Sequence, residues 1–235
     1  MSGDGVLMTD GSTSDTLSGN VIQGCGCDGI RIAFAGTSVG AVEDNTVIDA
    51  SNGINAHGGA QLGPVTGHVV QGARLYGINF ADAGTGADEI AGNTVTNPAQ
   101  AGILVHHEAT AGDITGNTVS GGAWSSVVAC RDATVGDIVG NDLSGAGYGV
   151  WVAGSAQAGS LLLNTICDTT GDGVFLCLSA ADHIQSNTIT DCDGAGLHIG
   201  PESDVFSGSV TDNELSGNGS GVCWEGVPGT WLWSN

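Results

Sequence analysis

Two aliphatic columns run the length of this chain at fixed offsets from a recurring polar marker. The marker is asparagine, at Asn20, Asn45, Asn93, Asn117, Asn141, Asn164, Asn187, Asn213 and Asn235, with His68 filling the one gap, and its spacing stays between 22 and 26 residues. Two residues after it stands Ile22, Val47, Val70, Val95, Val119, Leu143, Ile166, Ile189 or Leu215. Three residues before it stands Leu17, Val42, Val65, Ile90, Ile114, Ile138, Leu161, Ile184, Val210 or Leu232. Eight or nine residues after it a small residue, usually glycine, opens a segment of period-two alternation: DGIRI (28–32), NGINA (52–56), YGINF (76–80), AGILV (101–105), YGVWV (148–152), DGVFL (172–176) and AGLHI (195–199). Alternation turns the first and third apolar residues of each segment inward and the middle one outward.

A period of this length, sustained along the chain, predicts a repeat architecture in which no single unit buries its own apolar face. β-Branched residues, dense glycine and the lack of a 3.6-residue period disfavour helices. The predicted fold is all-β: one parallel β-helix domain over residues 1–235, with three short strands per coil and about nine to ten coils. Equivalent strands then stack about 4.8 Å apart. An asparagine repeated at one turn can hydrogen-bond its counterparts above and below, so Asn20, Asn45, Asn93, Asn117, Asn141, Asn164, Asn187 and Asn213 are expected to form a structural ladder.

The repeated GNTV (92–95 and 116–119) followed by GILV (102–105), with its asparagine ladder, resembles the right-handed parallel β-helix of the pectate-lyase-like superfamily. The resemblance implies a solenoid but spans many functions: lyases, hydrolases, epimerases, tailspikes and non-enzymatic surface proteins. In the enzymes of that superfamily the strand matching GILV lines the substrate groove, which directs attention to its outward residues.

One outward column reads Arg31, Asn55, Asn79, Leu104, Val128, Trp151, Phe175, His198, Cys223; its neighbour reads Ala33, His57, Ala81, His106, Cys130, Ala153, Cys177, Gly200, Glu225. At the strand end Asp82, His107 and Arg131 fall in consecutive coils. As a catalytic set, His106 or His107 would accept a proton, Arg131 would hold a substrate carboxylate and Asp82 would complete the row. As a solvated face, the same residues form an ion ladder. Leu104, Val128, Trp151 and Phe175 form an expected exposed apolar stripe, suited to a sugar or to another chain. Glu89, Asp113 and Asp137 stack at one outward position of the middle strand, where a calcium ion would relieve their repulsion. Cys167 and Cys192 lie in neighbouring coils near one turn and are candidates for a bridge.

Composition narrows the partners. The chain has three arginines, no lysine and 25 acids, for a net charge of -22. Nucleic acid and anionic membrane are disfavoured, because both need clustered cations. No apolar run approaches the ~18 residues of a membrane span. An acidic, lysine-free surface suits a secreted or cell-surface setting, halophilic in character. The start, residues 1–5, shows no signal-peptide pattern, so export is expected with a leader already removed. Neither end has an evident cap; Trp224, Trp231 and Trp233 crowd the last coil. Open ends suggest stacking on further copies of the chain, or membership of a larger solenoid.

The leading functional expectation is a non-enzymatic surface solenoid, structural or adhesive, able to assemble end to end. The alternatives are a lyase or epimerase acting on an acidic glycan, and a polysaccharide-binding module without catalysis. No cofactor is required by any of them.

Overall fold

The computed structural model describes residues 2–205, 209–225 and 233–234. Trp231, Leu232 and Asn235, and the side chain of Trp233, lie outside the described residues. Every strand pairs in parallel with its equivalent one coil away, and among the described residues there is no helix. Three sheets form the walls. Among the described residues the face sheet has 10 strands, beginning with Val6–Met8 and Ile30–Ala33 and ending with Ser220–Trp224; the ladder sheet has 9, from Val21–Gln23 to Glu214–Ser216. The middle sheet is the third wall and opens with Thr13–Ser18 and Ser38–Glu43.

The inward columns are those the alternation predicts. Ile30, Ile54, Ile78, Ile103, Val127, Val150, Val174 and Leu197 stack as successive rungs, each fully buried, and both ladder-flanking columns join them in one cluster. Burial of each such side chain contributes about 1.5–3 kcal/mol relative to exposure. The middle wall departs from one short strand per coil: it breaks into pairs such as Gln61–Leu62 with Val65–Thr66, and Gln157–Ala158 with Leu161–Leu162. At these bends the backbones nearly touch, as where Gly63 sits against the carbonyl of Gly40, leaving no space for a Cβ.

The residue before each ladder position turns the chain in the left-handed region, with φ between 52° and 69° at Gly19, Asp44, Gly67, Gly92, Gly116, Gly140, Leu163, Ser186 and Asp212. Glycine, Asp and Ser at this place follow from that requirement. After the turn the asparagine is aimed inward. Asn117 Oδ1 accepts from the backbone N–H and the Nδ2 of Asn93, both at 2.9 Å. Its own Nδ2 donates to Ile90 O and to Asn141 Oδ1, again at 2.9 Å. The same pattern repeats through Asn141, Asn164, Asn187 and Asn213. His68 takes the part of an asparagine: Nδ1 accepts from Asn45 N–H at 3.0 Å, which leaves Nε2 to donate to Val42 O at 2.9 Å. The side-chain to side-chain link is lost there; Asn45 Nδ2 keeps the usual bond to Leu17 O and turns to Glu43 O in place of the missing amide.

All seven cysteines are free, so the candidate Cys167–Cys192 bridge is not formed. Burial, then the neighbouring Asp168, pushes the Cys167 thiol up to about 11, which keeps it protonated at neutral pH.

Candidate functional site

The face sheet aligns the outward columns as predicted: Arg31 beside Asn55, Leu104 beside Val128, Trp151 beside Phe175, and His198 beside Cys223. Its character changes along the axis. The first coils are a polar network. Buried Asp28 accepts from Asn52 and Asn55 side chains at 2.8 and 2.6 Å, and Asn79 Nδ2 donates to Asn55 Oδ1 at 2.9 Å. Arg31 reaches Asp4 at 3.7 Å and donates through Nε to His57 Nε2 at 3.1 Å.

The expected exposed stripe is corrected at two of its four members. Leu104 and Val128 are buried, at 1% and 0% exposure, in a small cluster with Ala101 and Cys130 on the outside of the sheet. Tyr76 and Trp124, from the turns that precede face strands, fold over them because two adjacent aliphatic side chains on an outward face are better covered than wetted. Trp151 and Phe175 are half-buried and belong to a run of rings. Trp124 meets Trp151 edge-on at 5.2 Å, Tyr148 stacks on Phe175 at 5.7 Å, Trp151 lies 6.0 Å from Phe175, and Phe175 lies 4.6 Å from the His198 ring. Trp124 escaped the sequence reading because it sits at a turn, where alternation assigns no face, and Tyr148 because it opens the strand Tyr148–Ala153, ahead of the outward position that alternation marks at Trp151.

The structure brings His106, His107 and Arg131 together, with Asp82 near enough for its charge to act on His106. Asp82, His107 and Arg131 all occupy left-handed turn positions, with φ of 77°, 55° and 56°. Asp82 accepts from Gly58 N–H at 3.1 Å and joins no ion pair among the described residues. Arg131 Nη1 lies 2.7 Å from His107 Nε2. A guanidinium can only donate, so the His107 lone pair on that nitrogen is occupied. His106 packs 4.5 Å from His107, and its Nε2 is buried without a hydrogen bond. Burial first, then His107 and Arg131, lowers the His106 pKa to about 4.

Of the stacked acids Glu89, Asp113 and Asp137, the two aspartates accept hydrogen bonds from the backbone. Asp113 Oδ1 accepts Asp137 N–H at 2.9 Å, and Asp137 Oδ1 accepts Ser160 N–H at 2.7 Å. Each bond needs glycine in the coil that follows: a Cβ at Gly136 or Gly159 would collide with the carboxylate oxygen beneath it. These N–H donors offset part of the repulsion between Asp113 and Asp137.

A different donor set stands at the far end of the face. His198, on Ala195–Ile199, lies beside Cys223, on Ser220–Trp224, and Glu225 follows two residues later on the same side. One nitrogen, one sulfur and one carboxylate oxygen from these three lie within 4.8 Å of one another. It is the one group of three such donors among the described residues. Both outward columns contain these residues; their chemistry was missed because the set is completed only where the two columns meet.

Burial also lowers the pKa of His68, whose neutral form the ladder requires. With His68 and His106 both depressed in the folded chain, the unfolded chain binds more protons between the folded and unfolded values, and stability rises with pH there. The stability is complete above about pH 6.5 and is lost as pH falls below it. Thermal melts followed by circular dichroism should therefore show a falling melting temperature from about pH 7.5 to about pH 5. His68→Asn, which restores an ordinary ladder rung, should flatten part of that slope; an unchanged slope would contradict the account.

Residues 64–231 match the family model described as right-handed β-helix region, and residues 2–125 match that of periplasmic copper-binding protein (NosD). The chain belongs to the right-handed β-helix and NosD families. No curated protein and no solved structure matches it significantly. As a right-handed β-helix it has three sheets and an asparagine ladder, as the family resemblance implied.

The NosD description names copper. Within 2–125 His57 accepts from Arg31, both nitrogens of His68 serve the ladder and His107 accepts from Arg131, which leaves His106 Nε2 and the thiols of Cys25 and Cys27. No group of three donors forms in that segment. The nitrogen, sulfur and oxygen donors of His198, Cys223 and Glu225, beyond it, do suit a late first-row transition ion.

Proposed function

We propose that this β-helix works outside the cytoplasm as a non-enzymatic, adhesive solenoid that holds a neutral glycan along its face sheet. The observation that carries the reading is the half-buried run of rings from Trp124 and Tyr148 through Trp151 to Phe175, held in line by parallel strand register. Rings fixed by their neighbours lose little entropy on binding and offer flat apolar surface to sugar C–H groups. The Trp151 Nε1 is buried without a hydrogen bond, so the indole is held by packing alone. A net charge of -22 favours a neutral glycan over a polyuronate, which it would repel. The periplasmic description of the NosD family supports the location.

Calorimetric titration with neutral and uronate oligosaccharides tests this. Trp151→Ala and Phe175→Ala should each weaken neutral-glycan binding at least about tenfold, the size expected for a central aromatic contact. His106→Ala and His107→Ala should leave it unchanged. New unsaturated or epimerised ends on a uronate polymer, lost in the histidine variants, would replace this reading with the lyase or epimerase one.

A second reading is end-to-end association. The edge strand Val6–Met8 pairs only with Ile30–Ala33 among the described residues, and its free side offers backbone groups to a parallel strand of another copy. Negative-stain microscopy across a salt series should show fibres of one-coil width; a monodisperse monomer at every salt concentration would remove it.

A further inference from the structure

The end of the face sheet holds four side chains that neither the ring platform nor the ladder uses: Asp172, His198, Cys223 and Glu225. Asp172 is fixed first. Its Oδ1 accepts Ala195 N–H at 2.6 Å, and its Oδ2 lies 2.9 Å from His198 Nδ1. A carboxylate accepts, so Nδ1 carries the proton and the lone pair of the neutral ring stands on Nε2. That Nε2 is buried and makes no hydrogen bond. Glu225 Oε2 lies 4.0 Å from it, and Cys223 stands directly alongside in strand register. The Phe175 ring, 4.6 Å from the imidazole, closes one side. Glu225, 56% exposed, leaves the other open to solvent.

A buried nitrogen with a lone pair and no donor is costly in a protein that has no other use for it. A ring oriented by a carboxylate through its far nitrogen is the usual support of a metal-bound histidine. Thiolate and carboxylate supply two negative charges toward a dication. Sulfur and imidazole donors disfavour calcium and magnesium, which take oxygen ligands. The 4.8 Å envelope is wider than the roughly 3.3–3.8 Å ligand separations of a tetrahedral complex with bonds of about 2.0–2.3 Å. Metal binding therefore requires Cys223 and the exposed Glu225 to rotate toward His198, which Asp172 holds.

The geometry points to a binding site for a late first-row transition metal ion, zinc or copper in class, formed by His198 Nε2, Cys223 Sγ and the Glu225 carboxylate, with Asp172 as the positioning residue and a fourth position open to water or ligand. The donors themselves carry the assignment, since the segment matching the NosD family ends at residue 125.

The test uses the full chain, reduced and stripped of metal, titrated with cobalt(II) as a spectroscopic stand-in. One equivalent should give tetrahedral visible absorption with a sulfur-to-cobalt charge-transfer band, and zinc should displace it. Cys223→Ser should remove the charge-transfer band, whereas Cys27→Ser, at the exposed thiol, should leave it intact. Asp172→Asn should weaken affinity about 10–100-fold while keeping the band. Copper(I) competition then decides whether the site prefers copper to zinc. Should Cys223→Ser fail to fold, His198→Gln and Glu225→Gln read the same site by affinity. No charge-transfer band in the wild type, or a band that survives Cys223→Ser, overturns the assignment; so does calcium competing as well as zinc, the behaviour of an acidic surface alone.

Discussion

Asn117→Leu should lower the free energy of unfolding by about 4 kcal/mol, the largest single-residue effect expected on the ladder. The leucine fits the volume but answers none of four hydrogen bonds. Asn93 N–H loses its acceptor and Ile90 C=O its donor, both inside a buried turn. Each orphaned group costs about 1–3 kcal/mol, because water cannot replace the partner. Asn93 Nδ2 keeps Val65 O and Asn141 Oδ1 keeps the backbone N–H of residue 117, so those two are only partly unpaired. The comparison is Asn20, half-exposed at the first rung, where Asn20→Leu should cost under about 1 kcal/mol since solvent reaches the freed groups. Urea unfolding of the two variants measures the difference directly. Equal costs would mean that the ladder orders the turns without stabilising them.

Gly102→Ala should cost about 3 kcal/mol, although its backbone is not left-handed. Glycine opens most face strands because an added Cβ would meet two things at once: the γ-methyl of the ladder residue in its own coil and the carbonyl of the next coil. At Gly102 these are Val119 Cγ1 and Ser126 O, the latter at 2.6 Å. Overpacking a close-packed core by one methyl typically costs 1–3 kcal/mol, and a backbone carbonyl yields less than a side chain does. Gly3→Ala, with nothing within 4 Å, should be close to neutral. The chain itself suggests a rescue. Ser126 occupies this same column, and its coil carries Leu143 where Gly102 faces Val119. Leucine branches one carbon further out and leaves room at the Cβ. Val119→Leu should therefore recover part of the Gly102→Ala loss, and a double-mutant cycle with no coupling would contradict this packing account.

The repeat was legible because each coil solves the same local problem. Asn at the marker, small or acidic residues before it and aliphatics two after it all follow from one turn whose φ is positive and whose asparagine points inward. Alternation likewise assigned the inward rungs correctly. It failed at Leu104 and Val128 because outward does not mean exposed: Tyr76 and Trp124 come from turns and cover them. Asp82 was aligned with His107 and Arg131 by column position, yet its carboxylate turns back to Gly58 N–H. Column position places a Cα; the side-chain direction at a left-handed turn is decided by whichever backbone donor is nearest.

By itself, the sequence determined the period, the three walls, the buried columns and the asparagine ladder, because those depend on contacts between residues at equivalent places in successive coils. Tertiary structure alone decided how the outward columns are used. Whether Asp113 and Asp137 bond to the coil that follows, whether a ring lies over a leucine, and whether His198, Cys223 and Glu225 meet within 4.8 Å depend on side-chain direction across two columns and two coils. Periodicity has one dimension, along the chain, and these arrangements are set in the two dimensions of a sheet surface.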